Sequence, residues 1–147
     1  MKGLRTTLGM PQYWNYRTSK DCELVARLRR AGAIILGRTN VPFGCYDWNC
    51  RNPIYPETVN PWDFSRTPGG SSGGAAASIA TGMTPLDMGS DLAGSIRLPS
   101  HCCGIFGLRT TDGLLPMNDV GPEDFPDAPS LLTVCGPMAR SIADLQL

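Results

Sequence analysis

The 147-residue chain carries 13 Lys plus Arg against 13 Asp plus Glu, a single His and 41% hydrophobic residues, which is one domain's worth of sequence. A formal net charge of zero supplies no basic field to track phosphates, so nucleic acid is excluded as a direct partner. The longest apolar run, Ala33-Ile34-Ile35-Leu36, is far too short to span a bilayer, and the N-terminus lacks an apolar signal core, so a cytoplasmic protein with no membrane association is expected.

Residues 17–31 open with a capping-box-like pair, Thr18 and Asp21, ahead of Leu24, Val25, Leu28 and Ala31 on one face; the spacing predicts a helix over 20–31 stopped by Gly32. Ala33 to Leu36, apolar without alternation, reads as a short strand buried on both faces. Five prolines and the aromatics Trp48, Tyr55 and Trp62 make residues 41–68 an ordered loop region. An Ala-rich helix is expected from Ser72 to Gly82, then a strand over Pro85–Met88 and a tight loop over Gly89–Gly94. A short helix disturbed by Pro99 follows Ser95. Ile105–Leu108 and Leu131–Val134 read as strands, 110–129 as an acidic loop and Ser141–Leu147 as the start of a helix. The first 66 residues hold 10 basic and 5 acidic side chains and the remainder 3 and 8, a split that two packed halves explain.

Cys22, Cys45, Cys50, Cys102, Cys103 and Cys135 lack a secretory context and read as reduced thiols. A zinc site would have to recruit His101 with Cys102 or Cys103 and the Cys45/Cys50 pair; neither spacing is C-x₂-C, so no metal is expected. Ser71 and Ser95 each lie in a Gly-rich turn. A helix of about 11 residues and a return strand of about 5 or 6 separate them, and rises of about 1.5 and 3.3 Å per residue make the two legs nearly cancel. The two serines can therefore meet, and the Leu92-Ala93-Gly94-Ser95 backbone can turn N–H groups toward a tetrahedral oxyanion. The plainer reading is two glycine turns with serine N-caps.

Gly69-Gly70-Ser71-Ser72-Gly73-Gly74, then Gly89-Ser90-Asp91-Leu92-Ala93-Gly94-Ser95-Ile96-Arg97-Leu98-Pro99, then Gly104-Ile105-Phe106-Gly107-Leu108-Arg109, closely resemble the amidase signature family. The match extends upstream through Leu28 to Asn40 and Asn60-Pro61-Trp62-Asp63, and downstream through Gly136 to Ser141. The resemblance implies an α/β fold, part of a mixed sheet flanked by helices, with residues 1–147 one partial amidase domain. It implies a Ser–cis-Ser–Lys hydrolase in which Ser95 is the nucleophile and Ser71 the bridging serine after a cis peptide bond. The backbone of Leu92, Ala93, Gly94 and Ser95 would form the oxyanion hole, braced by Ser72, Asp91 and Arg97. Such an enzyme cuts a small-molecule carboxamide through a serine acyl-enzyme, needs no cofactor or metal, and leaves room for a homodimer.

The family's lysine lies several residues before its Gly-x-x-Thr-Thr segment, here Gly3-Leu4-Arg5-Thr6-Thr7, and neither Lys2 nor Lys20 takes that place. The chain is therefore expected to be a fragment without the N-terminal lysine or the C-terminal part, and inactive as it stands. Ala93 and Thr110 stand where many relatives have Gly and Pro. A non-catalytic amide-binding subunit, or the glutamine-amidase subunit of a tRNA-dependent amidotransferase, are the alternatives. A G-x-S-x-G elbow with Ser72, Asp91 and His101 is a further one, weakened by the absence of a hydrophobic strand before Gly70.

Overall fold

The structure is a computed structural model that describes residues 1–125 and 132–146. Its helices are α1 (Glu23–Arg30), α2 (Gly73–Ala80), α3 (Arg97–Cys103) and α4 (Ile142–Leu145); its strands are β1 (Leu86–Asp91), β2 (Phe106–Gly107) and β3 (Val134–Ala139). The strands form one sheet in the order β1-β3-β2. Both pairings are antiparallel, running from Leu86↔Ala139 to Asp91↔Val134 on one side of β3 and through Phe106↔Ala139 on the other. The fold is thus α/β with helices against a sheet, as expected, but among the described residues the sheet is antiparallel rather than mixed.

The core lies where α2 and α3 cover this sheet. Ile79, Ala75 and Ala76 of α2 meet Ile96, Cys103 and Met138, all nearly sealed from solvent. Small residues let α2 sink in on most sides, with Gly73, Gly74 and Ser78 buried as well; this is why an Ala-rich helix lacks a polar stripe. A second cluster joins Cys22 and Leu24 at the start of α1 to Cys135 of β3. On the outer face of α1, Glu23 takes both Arg27, at 3.0 Å, and Arg30, at 2.8 Å, a spacing that places these side chains together along a helix.

Several elements differ from the sequence reading. The segment 33–36 is not a strand: Ile34 is 88% and Leu36 71% exposed. An apolar run without alternation needs neighbours on both faces, and all three described strands come from the second half of the chain and pair with one another. Thr18 and Asp21 do not cap α1. Cys22 is its N-cap, while Thr18 bonds the Lys20 carbonyl and Asp21 accepts from the Lys2 amide and Arg29. Strand β1 runs on through Asp91 into the expected loop, and α3 passes Pro99 unbroken because that proline sits in the first turn, where no intrahelical N–H is required. The last strand starts at Val134 and continues to Ala139; Leu131 and the end of the acidic loop, 126–129, lie outside the described residues, as does Leu147. Ser141 caps α4 by accepting from the Asp144 amide. The described helices include none long and apolar enough to cross a membrane.

Candidate active site

Helix α2 and strand β1 return the chain on itself, and the two serine turns touch: the Ser72 amide donates to the Ser95 carbonyl at 3.2 Å. Ser71 and Ser95 are both buried, at 3% and 9% exposure. The Gly70–Ser71 peptide bond is cis. Gly70 must be glycine for packing reasons, since a Cβ would lie 2.7 Å from the Asp47 carbonyl oxygen and 3.0 Å from the Trp48 Cα. Ser72 ties the turn to β1, its hydroxyl accepting from the Ser90 amide at 3.3 Å and donating to the Ser90 carbonyl at 3.4 Å.

The turn after β1 is organised by one fully buried carboxylate. Asp91 accepts from the amides of Gly94 at 2.9 Å, Ile96 at 3.1 Å and Arg97 at 3.3 Å, and from the Arg97 guanidinium at 3.0 and 2.9 Å. The Arg109 side chain approaches the same carboxylate at 3.7 Å. Burial alone would push the Asp91 carboxyl up, but the Arg97 guanidinium and the three amides outweigh it and hold it at about 2. Asp91 is therefore ionised throughout the neutral range and serves as the anchor of the 92–97 turn.

The backbone N–H groups expected to face an oxyanion differ in their partners. The Gly94 N–H is spent on Asp91, whereas the N–H groups of Leu92, Ala93 and Ser95 have no protein acceptor among the described residues. The Ala93 side chain lies on the exposed part of the turn, so its methyl group does not remove a donor.

Cys45, absent from the sequence reading of the site, meets the Ser71 hydroxyl with its thiol. Burial pushes this thiol up to about 11 against the opposing effects of Ser71 and Arg38, so it stays protonated and is not a base at neutral pH. Cys45 also has φ 61°, a backbone conformation that residue identity does not announce. All six cysteines are free thiols. Arg109 is legible in sequence only as part of a motif; its approach to Asp91 comes from the β2 edge.

Neither lysine stands beside the serines as a buried base. Lys20 pairs with Asp119 at 2.9 Å on the surface, and this contact raises its pKa and keeps it cationic. Lys2 is exposed. The Ser72-Asp91-His101 constellation is not assembled: Asp91 is given over to Arg97 and backbone amides, and His101 is exposed in the last turn of α3, beside a cleft with Asn60, Arg66, Thr67 and Cys102. No group of three or more His, Cys, Asp or Glu suited to a metal occurs among the described residues.

A buried carboxylate thus anchors the 92–97 turn, and that turn packs against the Ser71–Ser72 turn with both Ser71 and Ser95 buried. The family model described as Amidase matches residues 1–147. The chain is 40% identical to fatty-acid amide hydrolase 1 of Sus scrofa over 99% of its own length and 25% of that protein. It is 38% identical to an indoleacetamide hydrolase of Bradyrhizobium diazoefficiens, over 95% of this chain and 27% of that one. A solved bacterial aryl acylamidase of the amidase signature family superposes with a TM-score of 0.85 at 27% identity, covering 99% of this chain and 30% of that structure. The chain belongs to the amidase family. It spans between about a quarter and a third of the length of these relatives.

Proposed function

We propose that this chain carries the acylating half of a carboxamide hydrolase site, with Ser95 as nucleophile and Ser71 as the hydroxyl that relays its proton. The observation that carries the reading is the Asp91-anchored turn. It holds Ser95 on a fixed backbone beside the Ser71–Ser72 turn, and the Leu92, Ala93 and Ser95 N–H groups, which have no protein acceptor among the described residues, can meet an oxyanion. In the reaction, Ser95 Oγ attacks the amide carbonyl while its proton passes to Ser71. The Ser71 proton goes to a base, the amine departs with a proton, and water then releases the acyl group. Arg97 and Ser72 act by position, the first through Asp91 and the second through Ser90. Relatives named for fatty-acid amides and for indoleacetamide support a carboxamide as the substrate class without narrowing it further.

One observation favours a binding-only role for the 147 residues alone. The relay needs a base of suitable pKa, yet Lys20 is held cationic by Asp119 and the Cys45 thiol is held neutral. The isolated chain is expected to show little or no amide turnover, and robust turnover abolished by Ser95→Ala would overturn that expectation. A form that carries this stretch within the full length its relatives have should hydrolyse carboxamides and lose about 10³-fold or more in kcat on Ser95→Ala, the scale seen when an acylating nucleophile is removed. Unchanged kcat in that variant would rule out the assigned nucleophile.

A further inference from the structure

The bonds that hold Asp91 are local with one exception. The amides of Gly94, Ile96 and Arg97 and the Arg97 guanidinium all come from the residues that directly follow it, so they shape the 92–97 turn without tying it to another element. Among the described residues only Arg109 reaches the carboxylate from outside that stretch, its Nε lying 3.7 Å from Asp91 Oδ1. The same guanidinium donates from Nη2 to the Leu132 carbonyl at 2.7 Å.

The place of these three residues on the sheet gives the contact its weight. The β1–β3 ladder ends at Asp91↔Val134, so the turn over 92–95 has no rung of its own. Leu132 stands just ahead of β3, and Arg109 just past the end of β2 on the other side of β3. One guanidinium thus joins the last residue of β1 to the lead-in of β3 from beyond β2. Its base is pinned as well, since the neighbouring Thr110 hydroxyl donates to the Cys135 carbonyl at 2.7 Å. The Arg109 side chain is 29% exposed against 57% for Arg97, and a charged donor sheltered from water holds its acceptors more firmly than an exposed one.

We propose that Arg109 is a positioning residue for the hydrolytic reaction, fixing Asp91, and through it the 92–95 turn, to the ends of β2 and β3. The proposal rests on the hydrolase reading of Ser71 and Ser95 and adds a residue that acts through Asp91. Arg97 cannot take this part, because it moves with the turn it braces. In acylation negative charge grows on the carbonyl oxygen, and donors held in place gain more there than in the substrate complex. A turn free to tilt on its strand loses that gain and keeps most of its affinity for substrate, so the effect falls on kcat and not on KM.

The test uses a form that carries this stretch within the full length its relatives have. Arg109→Met keeps most of the side-chain length and removes the charge; Arg109→Lys keeps a cation with donors for both acceptors. Arg109→Met is expected to lower kcat for a carboxamide about ten-fold with KM changed by less than about two-fold, and to slow fluorophosphonate labelling of Ser95 by a similar factor, with the circular dichroism of the parent. Arg109→Lys is expected to stay within about three-fold of the parent in both rates. If Arg109→Met does not fold, Arg109→Gln, neutral but still a donor, carries the same expectation. A kcat equal to the parent's in the neutral variant, a raised KM with kcat unchanged, or a lysine variant as slow as the neutral one would each overturn the proposal. Failure of the hydrolase reading shows separately, as unchanged kcat in Ser95→Ala, whereas failure of this proposal alone leaves Ser95→Ala inactive and Arg109→Met as fast as the parent.

Discussion

Asp91→Ala is expected to destabilise the chain by about 3 kcal/mol, the scale of removing one member of a buried charge pair and stranding its hydrogen-bond partners. The substitution strips acceptors from the amides of Gly94, Ile96 and Arg97 at once, and Ile96 is fully buried in the main core beside Ser95. Loss of the carboxylate should therefore loosen the serine turn and the packing beneath it together. Urea unfolding at pH 7 measures the effect. The pH dependence has a definite sign: a carboxyl held at about 2, below its ordinary 3.8, stabilises fully above about pH 4 and ceases to do so as pH falls through 2. Asp91→Asn should remove that acid-side dependence while destabilising less than alanine, because one acceptor oxygen remains. An alanine variant as stable as the parent would show that the turn holds without its carboxylate.

Gly136→Ala is expected to cost about 3 kcal/mol or more, at the upper end of overpacking effects because the obstacle is backbone. A Cβ at Gly136 would run into the Leu108 carbonyl oxygen and lie 3.2 Å from Ile96 Cδ1. Gly136 also pairs with Gly89 across β1 and β3, and a Cβ at Gly89 would in turn lie 2.8 Å from Ser72 Oγ. The strand cannot shift away without moving the serine turns that β1 supports. For a chain of this size the cost corresponds to a fall of about 10 °C in Tm, measurable by calorimetry. A fall of less than about 2 °C would mean that β3 and β1 are free to separate at this point.

The features legible in the sequence are those set by local spacing. Leu24 and its helix, the Ala-rich α2 with Ser72 at its head, and the return of β1 toward Ser71 follow from periodicity and from the lengths of the two legs. The resemblance that marks Ser71, Ser95 and Asp91 rests on long glycine-rich motifs, and the family match covers the whole chain. Other features depend on distant partners. Ala33–Leu36 has strand composition, but composition does not supply the neighbours that a doubly buried strand requires. The Gly94 N–H looks equivalent in sequence to the N–H groups of Leu92 and Ala93, and only the folding back of the Asp91 carboxylate sets it apart. Cys45 and Arg109 reach the site by tertiary placement, one through a left-handed turn and the other from beyond β2, and no spacing rule encodes either. Trp62, read as a loop aromatic and as part of the Asn60–Asp63 match, pins its loop to the end of α3 by donating to the Cys103 carbonyl at 2.7 Å.

Ser95, and not a neighbouring serine, is the residue proposed to be acylated. Trypsin cuts after Arg66 and Arg97, so Ser71, Ser72 and Ser95 share one peptide, residues 67–97. Reaction with a fluorophosphonate, on this chain and on the version extended to the full length its relatives have, followed by fragmentation of that peptide, locates the adduct directly. The expected result is a single adduct on Ser95, strongest in the extended protein and lost in Ser95→Ala. An adduct on Ser72 that disappears with His101→Ala, or no adduct in either version, would contradict the account.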